Sequence, residues 1–241
     1  MVETKEHGPR YMRGVIEETV HECAHGGQLH ELFEVCAVIT DDTHKDLVRS
    51  DYPMMPSTGK PWIHRLDLAD QQGILIRDVT WNIASSFRSL AHDDATGRAA
   101  MKFAFEREIQ QIAKYTQADV IISDHYMARI DHLHAMFPGR VLNIHPAVTK
   151  RDHPYCFRGP HPTADALEMA RTGTPTMTGA TLHYVNETID DGPIIHWEAS
   201  TPVNPAYTPE ELRWYNYQAK RRVFTEGMLL YAEMLRSKAF A

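Results

Sequence analysis

Short apolar runs separated by helical stretches constrain this chain more than any other feature of its sequence. Residues 33–40 (FEVCAVIT), 118–123 (ADVIIS) and 140–144 (RVLNI) are mostly apolar and rich in β-branched side chains. That is the pattern of strands buried on both faces. Residues 73–79 read as another strand. Between them, residues 13–25 have helical spacing, with Val15, Ile16, Thr19, Val20 and Cys23 near one face and Gly26 and Gly27 as a stop. Residues 93–97 open a long helix whose apolar stripe is Met101, Phe105, Ile109 and Ile112. Residues 127–137 read as a short helix ended by Pro138 and Gly139, and residues 44–65, broken by Pro53, Pro56, Gly59 and Pro61, read as irregular. This alternation predicts an α/β fold, Rossmann-like, with a mostly parallel sheet and helices on both faces.

Downstream, residues 162–173 read as a helix. Residues 176–185 alternate strictly and predict a half-exposed strand, and residues 193–198 predict another. Thr208, Pro209 and Glu211 form a capping box with proline at the first helical position, opening a closing helix to about Arg236. With 241 residues and no repeat or low-complexity linker, a single domain over 1–241 is expected.

Charge excludes some partners. Twenty-five Lys and Arg stand against 32 Asp and Glu, a formal net charge of −7. A nucleic-acid binder carries the opposite sign, so no nucleic-acid partner is expected. No apolar run approaches the ~18 residues of a membrane span, and residues 1–10 are too polar for a secretory signal. Cys23, Cys36 and Cys156 are odd in number and widely spaced, which predicts free thiols in a reducing cytoplasm. The 15 histidines raise a metal-dependent hydrolase as a competing class. However, His132 and His134 sit two apart on a predicted helix, His153 and His161 fall in a loop with Asp152, and there is no HExxH. Nor is there a GxxxxGK phosphate loop.

In open parallel sheets, ligands bind beyond the carboxyl ends of the strands. Asp124 and His125 follow one strand, and Asn143, His145 and Pro146 end another. Asn143 and His145 are two residues apart in a strand and therefore share a face. An amide donor beside an imidazole suits a developing oxyanion. The same two residues serve equally well as a strand cap and a packed turn histidine. Residues 188–193 (TIDDGP) place two carboxylates before a Gly-Pro pair, which is also a plain turn signal.

Taken together, Leu142-Asn143-Ile144-His145-Pro146, Arg158-Gly159-Pro160-His161-Pro162, His183-Tyr184-Val185 and Ile189-Asp190-Asp191-Gly192-Pro193 resemble the folate-dependent formyltransferases. That family includes glycinamide ribonucleotide transformylase, methionyl-tRNA formyltransferase, sugar N-formyltransferases, formyltetrahydrofolate deformylase and N-hydroxyornithine formyltransferases. Order and spacing agree over residues 120–197, and more loosely from Arg13 through the last helix. The resemblance implies the formyltransferase fold, with a substrate-loop half over about 1–117 and a folate and catalytic half over about 118–241.

It also implies 10-formyltetrahydrofolate as co-substrate, no metal, and Asn143, His145 and Asp190 as the catalytic trio. Asp190 is chosen over Asp191 because the family acid lies three residues before the proline; Asp191 takes a position that is often glycine. By the same resemblance Tyr126, Met127, Arg129 and Ile130 hold the pterin, with Glu187, Thr188 and Ile189 opposite. Arg13, Arg158 and Gly159 are expected on the acceptor side. Extra length between His145 and Asp190 falls in residues 149–158.

The acceptor is expected to be a small amine or hydroxylamine. Residues 7–14 (HGPRYMRG) lack the Gly-Ser pattern that holds a ribonucleotide phosphate, and the acidic surface argues against tRNA. A deformylase is expected to carry a regulatory domain for which the chain has no room. Residues 13–17 (RGVIE) and 154–158 (PYCFR) look most similar to the hydroxyornithine formyltransferases of siderophore biosynthesis. Phosphoribosylglycinamide or an amino-sugar nucleotide is the alternative acceptor, and a noncatalytic folate or nucleotide binder is the third class. Relatives begin with an apolar strand, whereas residues 1–10 are polar. A missing first strand, and with it a truncated or poorly stable chain, is therefore expected. Oligomeric state is not legible in the sequence.

Overall fold

In the computed structural model the described residues are 15–23, 26–40, 54–55, 60–61, 80–83, 85–124 and 130–239. The expected strand over 73–79, residues 1–14 with the question of a first strand, His125, and residues 126–129 of the expected pterin segment 126–130 lie outside them.

Helix α1 (Ile16–Cys23) is followed by β1 (Val38–Thr40), which pairs in parallel with β4 (Thr80–Asn82). β2 (Met54–Met55) and β3 (Lys60–Pro61) form a two-residue antiparallel pair. Then come α2 (Ala95–Tyr115), β5 (Ile121–Ser123), α3 (Leu133–Met136), β6 (Val141–His145), α4 (Pro162–Arg171), β7 (Met177–Tyr184), β8 (Ile194–Pro202) and α5 (Pro209–Ala239). β5 to β8 form one sheet in sequence order.

That sheet corrects the expectation of a mostly parallel arrangement. β5–β6 is parallel, but β6–β7 and β7–β8 are antiparallel. The β7–β8 connection contains no helix, so it can only be a hairpin. Between β6 and β7 the chain first makes a long loop, and α4 then delivers β7 in the reverse direction.

Helices do cover both faces, and alternation along β6 shows how. Leu142 and Ile144 point to one side and join Ala180, Leu182, Val223, Phe224, Met228 and Tyr231 in the main core, with Val15 and Leu29. Each fully buried side chain of this size contributes about 1.5–3 kcal/mol. α5 lies so close to the sheet that a Cβ on Gly227 would stand 2.6 Å from Leu182 Cδ2. On the other face Val141 packs with Ala113, Leu133 and Phe137, and Ile109 and Ile121 lean on them.

Helix signals were legible where they were local. Asp94 caps α2 by accepting from the Gly97 amide at 2.8 Å. The Thr208–Glu211 box closes as expected, with the Glu211 amide donating to Thr208 Oγ1 at 3.1 Å and the Thr208 amide to Glu211 Oε2 at 2.8 Å. Three expectations need correction. The stripe on α2 does not stay buried: Phe105 and Ile112 are inside, but Met101 is 48% exposed, because α2 meets the β5–β6 layer only from Ile109, two turns later. Of the expected helix over 127–137, the described residues 130–137 hold one turn at Leu133–Met136. The strand over 33–40 shrinks to Val38–Thr40.

β7 also departs from the half-exposed reading. Thr178 through His183 are all buried. Its polar face does not meet water. Instead the Thr149 amide donates to Thr181 Oγ1 at 3.1 Å, and that hydroxyl donates to the Ala147 carbonyl at 2.8 Å. Among the described residues no helix is long and apolar enough to cross a membrane.

Candidate active site

Strand register assembles the site. Asn143 lies opposite His183, and His145 opposite Thr181, all four on the face of β6–β7 turned away from α5. The hairpin between β7 and β8 then brings Asp190 over this face.

One carboxylate oxygen collects the group. Asp190 Oδ1 is 3.4 Å from His145 Nδ1, 3.5 Å from Asn143 Nδ2 and 3.7 Å from His183 Nε2. All three distances exceed the ~2.7–2.9 Å of a tight charge-assisted hydrogen bond. The other oxygen, Oδ2, is held firmly by the Gly159 amide at 2.8 Å.

Ring orientations follow from the remaining partners. His183 Nδ1 is 2.9 Å from the Tyr184 carbonyl, so it donates there and leaves Nε2 to accept from Asn143 Nδ2 at 3.2 Å. His145 Nε2 is 3.0 Å from the Phe157 carbonyl. With an acceptor at each nitrogen, the His145 ring makes both contacts only when each nitrogen carries a hydrogen. Burial alone pushes the Asp190 carboxyl up, but its contact with His145, the charge of His145 and the Gly159 amide outweigh burial. They hold it well below the usual carboxylate range.

The backbone at the acid is strained. Asp190 has φ of +52°, a conformation that costs on the order of 1 kcal/mol and persists only when its surroundings enforce it. Gly192 helps to enforce it: a Cβ there would stand 1.6 Å from the Tyr184 carbonyl oxygen.

Asn143, His145 and Asp190 are thus brought together, and Asp190 rather than Asp191 faces the histidines. His183 belongs to the cluster, although sequence reasoning gave it no role; its place two residues after Thr181 on an alternating strand was the available signal. Gly159 and Arg158, expected on the acceptor side, are engaged otherwise. Gly159 has φ of +90° and gives its amide to Asp190. Arg158 donates from Nε to the Thr149 carbonyl at 2.8 Å and from Nη1 to Asp191 at 2.5 Å.

Of the expected donor residues, Ile130 is half-buried against the α2–α3 core, and Glu187, Thr188 and Ile189 lie on the exposed hairpin turn. Ile189 is 51% exposed beside Asp190 and offers an apolar contact there. Tyr126, Met127, Arg129 and Arg13 are outside the described residues.

Asp124, flagged at a strand end, is an anchor: it accepts from the Val15 amide at 2.6 Å at the start of α1 and pairs with buried Lys220 of α5 at 3.0 Å. Glu106 of α2 likewise accepts from the amides of Asp131, His132 and Leu133 at 2.9, 2.7 and 2.7 Å. Among the described residues no three His, Cys, Asp or Glu are grouped as a metal ion requires.

Comparison with known proteins places these residues in context. A family model described as formyl transferase matches residues 69–226. Among solved structures, PvdF of pyoverdin biosynthesis, a structurally unique N10-formyltetrahydrofolate-dependent formyltransferase, is similar at 30% identity with a TM-score of 0.74, covering 90% of this chain and 87% of that one. The phosphoribosylglycinamide formyltransferase of Bacillus subtilis is 32% identical over 99 residues, 41% of this chain and 46% of its own length. The formyltetrahydrofolate deformylase of Corynebacterium sp. strain P-1 is 32% identical over 108 residues, 44% of this chain and 34% of its own length. The match thus spans less than half of each of these two curated relatives.

Proposed function

Because this chain belongs to the formyl transferase family, we propose that it transfers a formyl group from 10-formyltetrahydrofolate to the nitrogen of a small amine or hydroxylamine, N5-hydroxyornithine in siderophore biosynthesis. Residues 1–241 act in this reading as one catalytic domain in the cytoplasm. The observation that carries it is the convergence of Asn143, His145 and His183 on one oxygen of Asp190.

The donor supplies a formyl carbon activated by its nitrogen; Ile130, Glu187, Thr188 and Ile189 are the described residues that would flank it. As the acceptor nitrogen bonds to that carbon, the formyl oxygen gains charge. Asn143 Nδ2 and His145 Nδ1 are the donors for it. Both are only loosely engaged by Asp190, so turning to a new anion costs little. Losing one such donor typically costs about a hundred- to a thousandfold in rate. Asp190, ionised and held by Gly159, orients the His145 ring and takes the proton released by the acceptor nitrogen through a water. That proton passes to the donor nitrogen as its bond to the formyl carbon breaks, the oxyanion collapses to the N-formyl product and tetrahydrofolate leaves. Positioned proton transfer of this kind contributes about a hundredfold or more. His183 accepts from Asn143 and so fixes which way its amide points.

For the acceptor, the PYCFR stretch and the similarity to PvdF over 90% of this chain support the hydroxyornithine reading. The test is incubation with 10-formyltetrahydrofolate and N5-hydroxyornithine, followed by mass analysis for a product heavier by one carbonyl. No such product, together with turnover of phosphoribosylglycinamide or an amino-sugar nucleotide, overturns this acceptor.

A further inference from the structure

Asp190 and Asp191 are adjacent, yet their side chains serve opposite sides of the hairpin turn. Asp190 reaches inward to His145 and accepts from the Gly159 amide. Asp191 reaches outward to the 149–158 loop, where its Oδ1 accepts from Arg158 Nη1 at 2.5 Å and from Arg151 Nε at 2.8 Å, and its Oδ2 pairs with Arg151 Nη2. The two loops are therefore joined by two successive rungs, Gly159–Asp190 and Arg158–Asp191.

The second rung is also wired into the sheet. Arg158 donates from Nε and Nη2 to the Thr149 carbonyl, and the Thr149 amide donates to Thr181, the residue opposite His145 in the strand register. A strained residue such as Asp190, at φ +52°, keeps its conformation only while its neighbours are fixed. Of the two arms of the clamp, Arg151 is 69% exposed, whereas Arg158 is 23% exposed. Exposed ion pairs contribute little on their own, so Arg158 carries the effect.

We infer that Asp191 is a positioning residue: by clamping Arg158 it fixes the geometry of Asp190 against His145. The inference rests on the formyl-transfer reading for its kinetic consequence, but its structural consequence can be read without turnover. The experiment compares wild type with Asp191→Asn, Asp191→Glu and Asp190→Asn. It follows the ring-nitrogen signals of His145 by NMR in histidine-labelled protein, assigned with His145→Gln, and measures kcat and the donor KM.

Asp191→Asn is expected to move the His145 signals toward those of Asp190→Asn. It is also expected to lower kcat roughly tenfold to a hundredfold, the scale of a reacting group displaced by about an ångström, with the donor KM within about twofold. Asp191→Glu is expected to restore most of both. Unchanged His145 signals in Asp191→Asn overturn the inference, whatever the change in the yield of folded protein. Should Asp191→Asn not fold, Arg158→Lys keeps the charge but loses the fork that spans Thr149 and Asp191, and the same signals decide. If the wild type formylates no amine, the functional reading falls while the NMR comparison still judges the clamp.

Discussion

Asn143 and His183 face each other across adjacent antiparallel strands, with the Asn143 amide nitrogen 3.2 Å from His183 Nε2. The asparagine can present its N–H groups to the site only because the imidazole accepts one of them and so excludes the flipped amide.

His183 is accordingly expected to matter for turnover without contacting the formyl group. His183→Phe leaves the Asn143 amide with only its longer contact to Asp190 and is expected to lower kcat about tenfold to a hundredfold, less than the roughly hundred- to thousandfold loss from Asn143→Ala. His183→Gln, which retains an acceptor, should recover part of the loss. Steady-state kinetics of the three variants checks the order.

Acid sensitivity should trace to Asp190. Its carboxyl lies well below the usual range, despite burial, because His145 and Gly159 favour its ionised form. A carboxyl depressed by folding binds fewer protons folded than unfolded. Its stabilisation is therefore complete above the unfolded value of about 4 and is lost as pH falls through the folded value. The stability difference between wild type and Asp190→Asn, measured by urea unfolding, is expected to narrow as the pH falls below about 4. A difference that does not change with acidification contradicts this assignment.

Glu106 is expected to be a stability residue. It is almost fully buried and accepts three amides at the start of α3. Glu106→Ala leaves those N–H groups without their acceptor and is expected to cost about 3 kcal/mol or more. Chemical denaturation, monitored by circular dichroism, gives the value.

Cys23 is expected to be the unreactive thiol. Burial, with the charge of Glu22 adding to it, pushes its pKa up to about 11. Because the thiolate is the reacting species, alkylation of Cys23 near neutral pH should be slow and should accelerate until the pH approaches that value. Iodoacetamide labelling at increasing pH, read by peptide mass, tests it.

The sequence was informative where the signal was local or periodic. Asn143 and His145 could be placed on one strand face from their spacing alone, and the Thr208–Glu211 box from residue types at fixed offsets. Sheet direction was not legible in that way. Strand-helix alternation looks the same whether the chain returns parallel or, as after the 146–161 loop, reversed. Burial of the polar face of β7 was hidden for a related reason: Thr181 and His183 are polar because they face a polar site, which a pattern of alternation cannot distinguish from water. Nor does periodicity separate Asp190 from Asp191. Their opposite directions come from one positive φ and from Gly192 behind it, both set by tertiary contact.

The β7–β8 hairpin carries the acid on a turn, while Asn143, His145 and His183 are seated on strands whose register the core fixes. The acid can therefore shift with its turn, or with the loop whose Gly159 amide it accepts, while the three strand residues stay in place. A slip of β6 against β7 by a single residue would instead turn Asn143 and His145 into the hydrocarbon interior together.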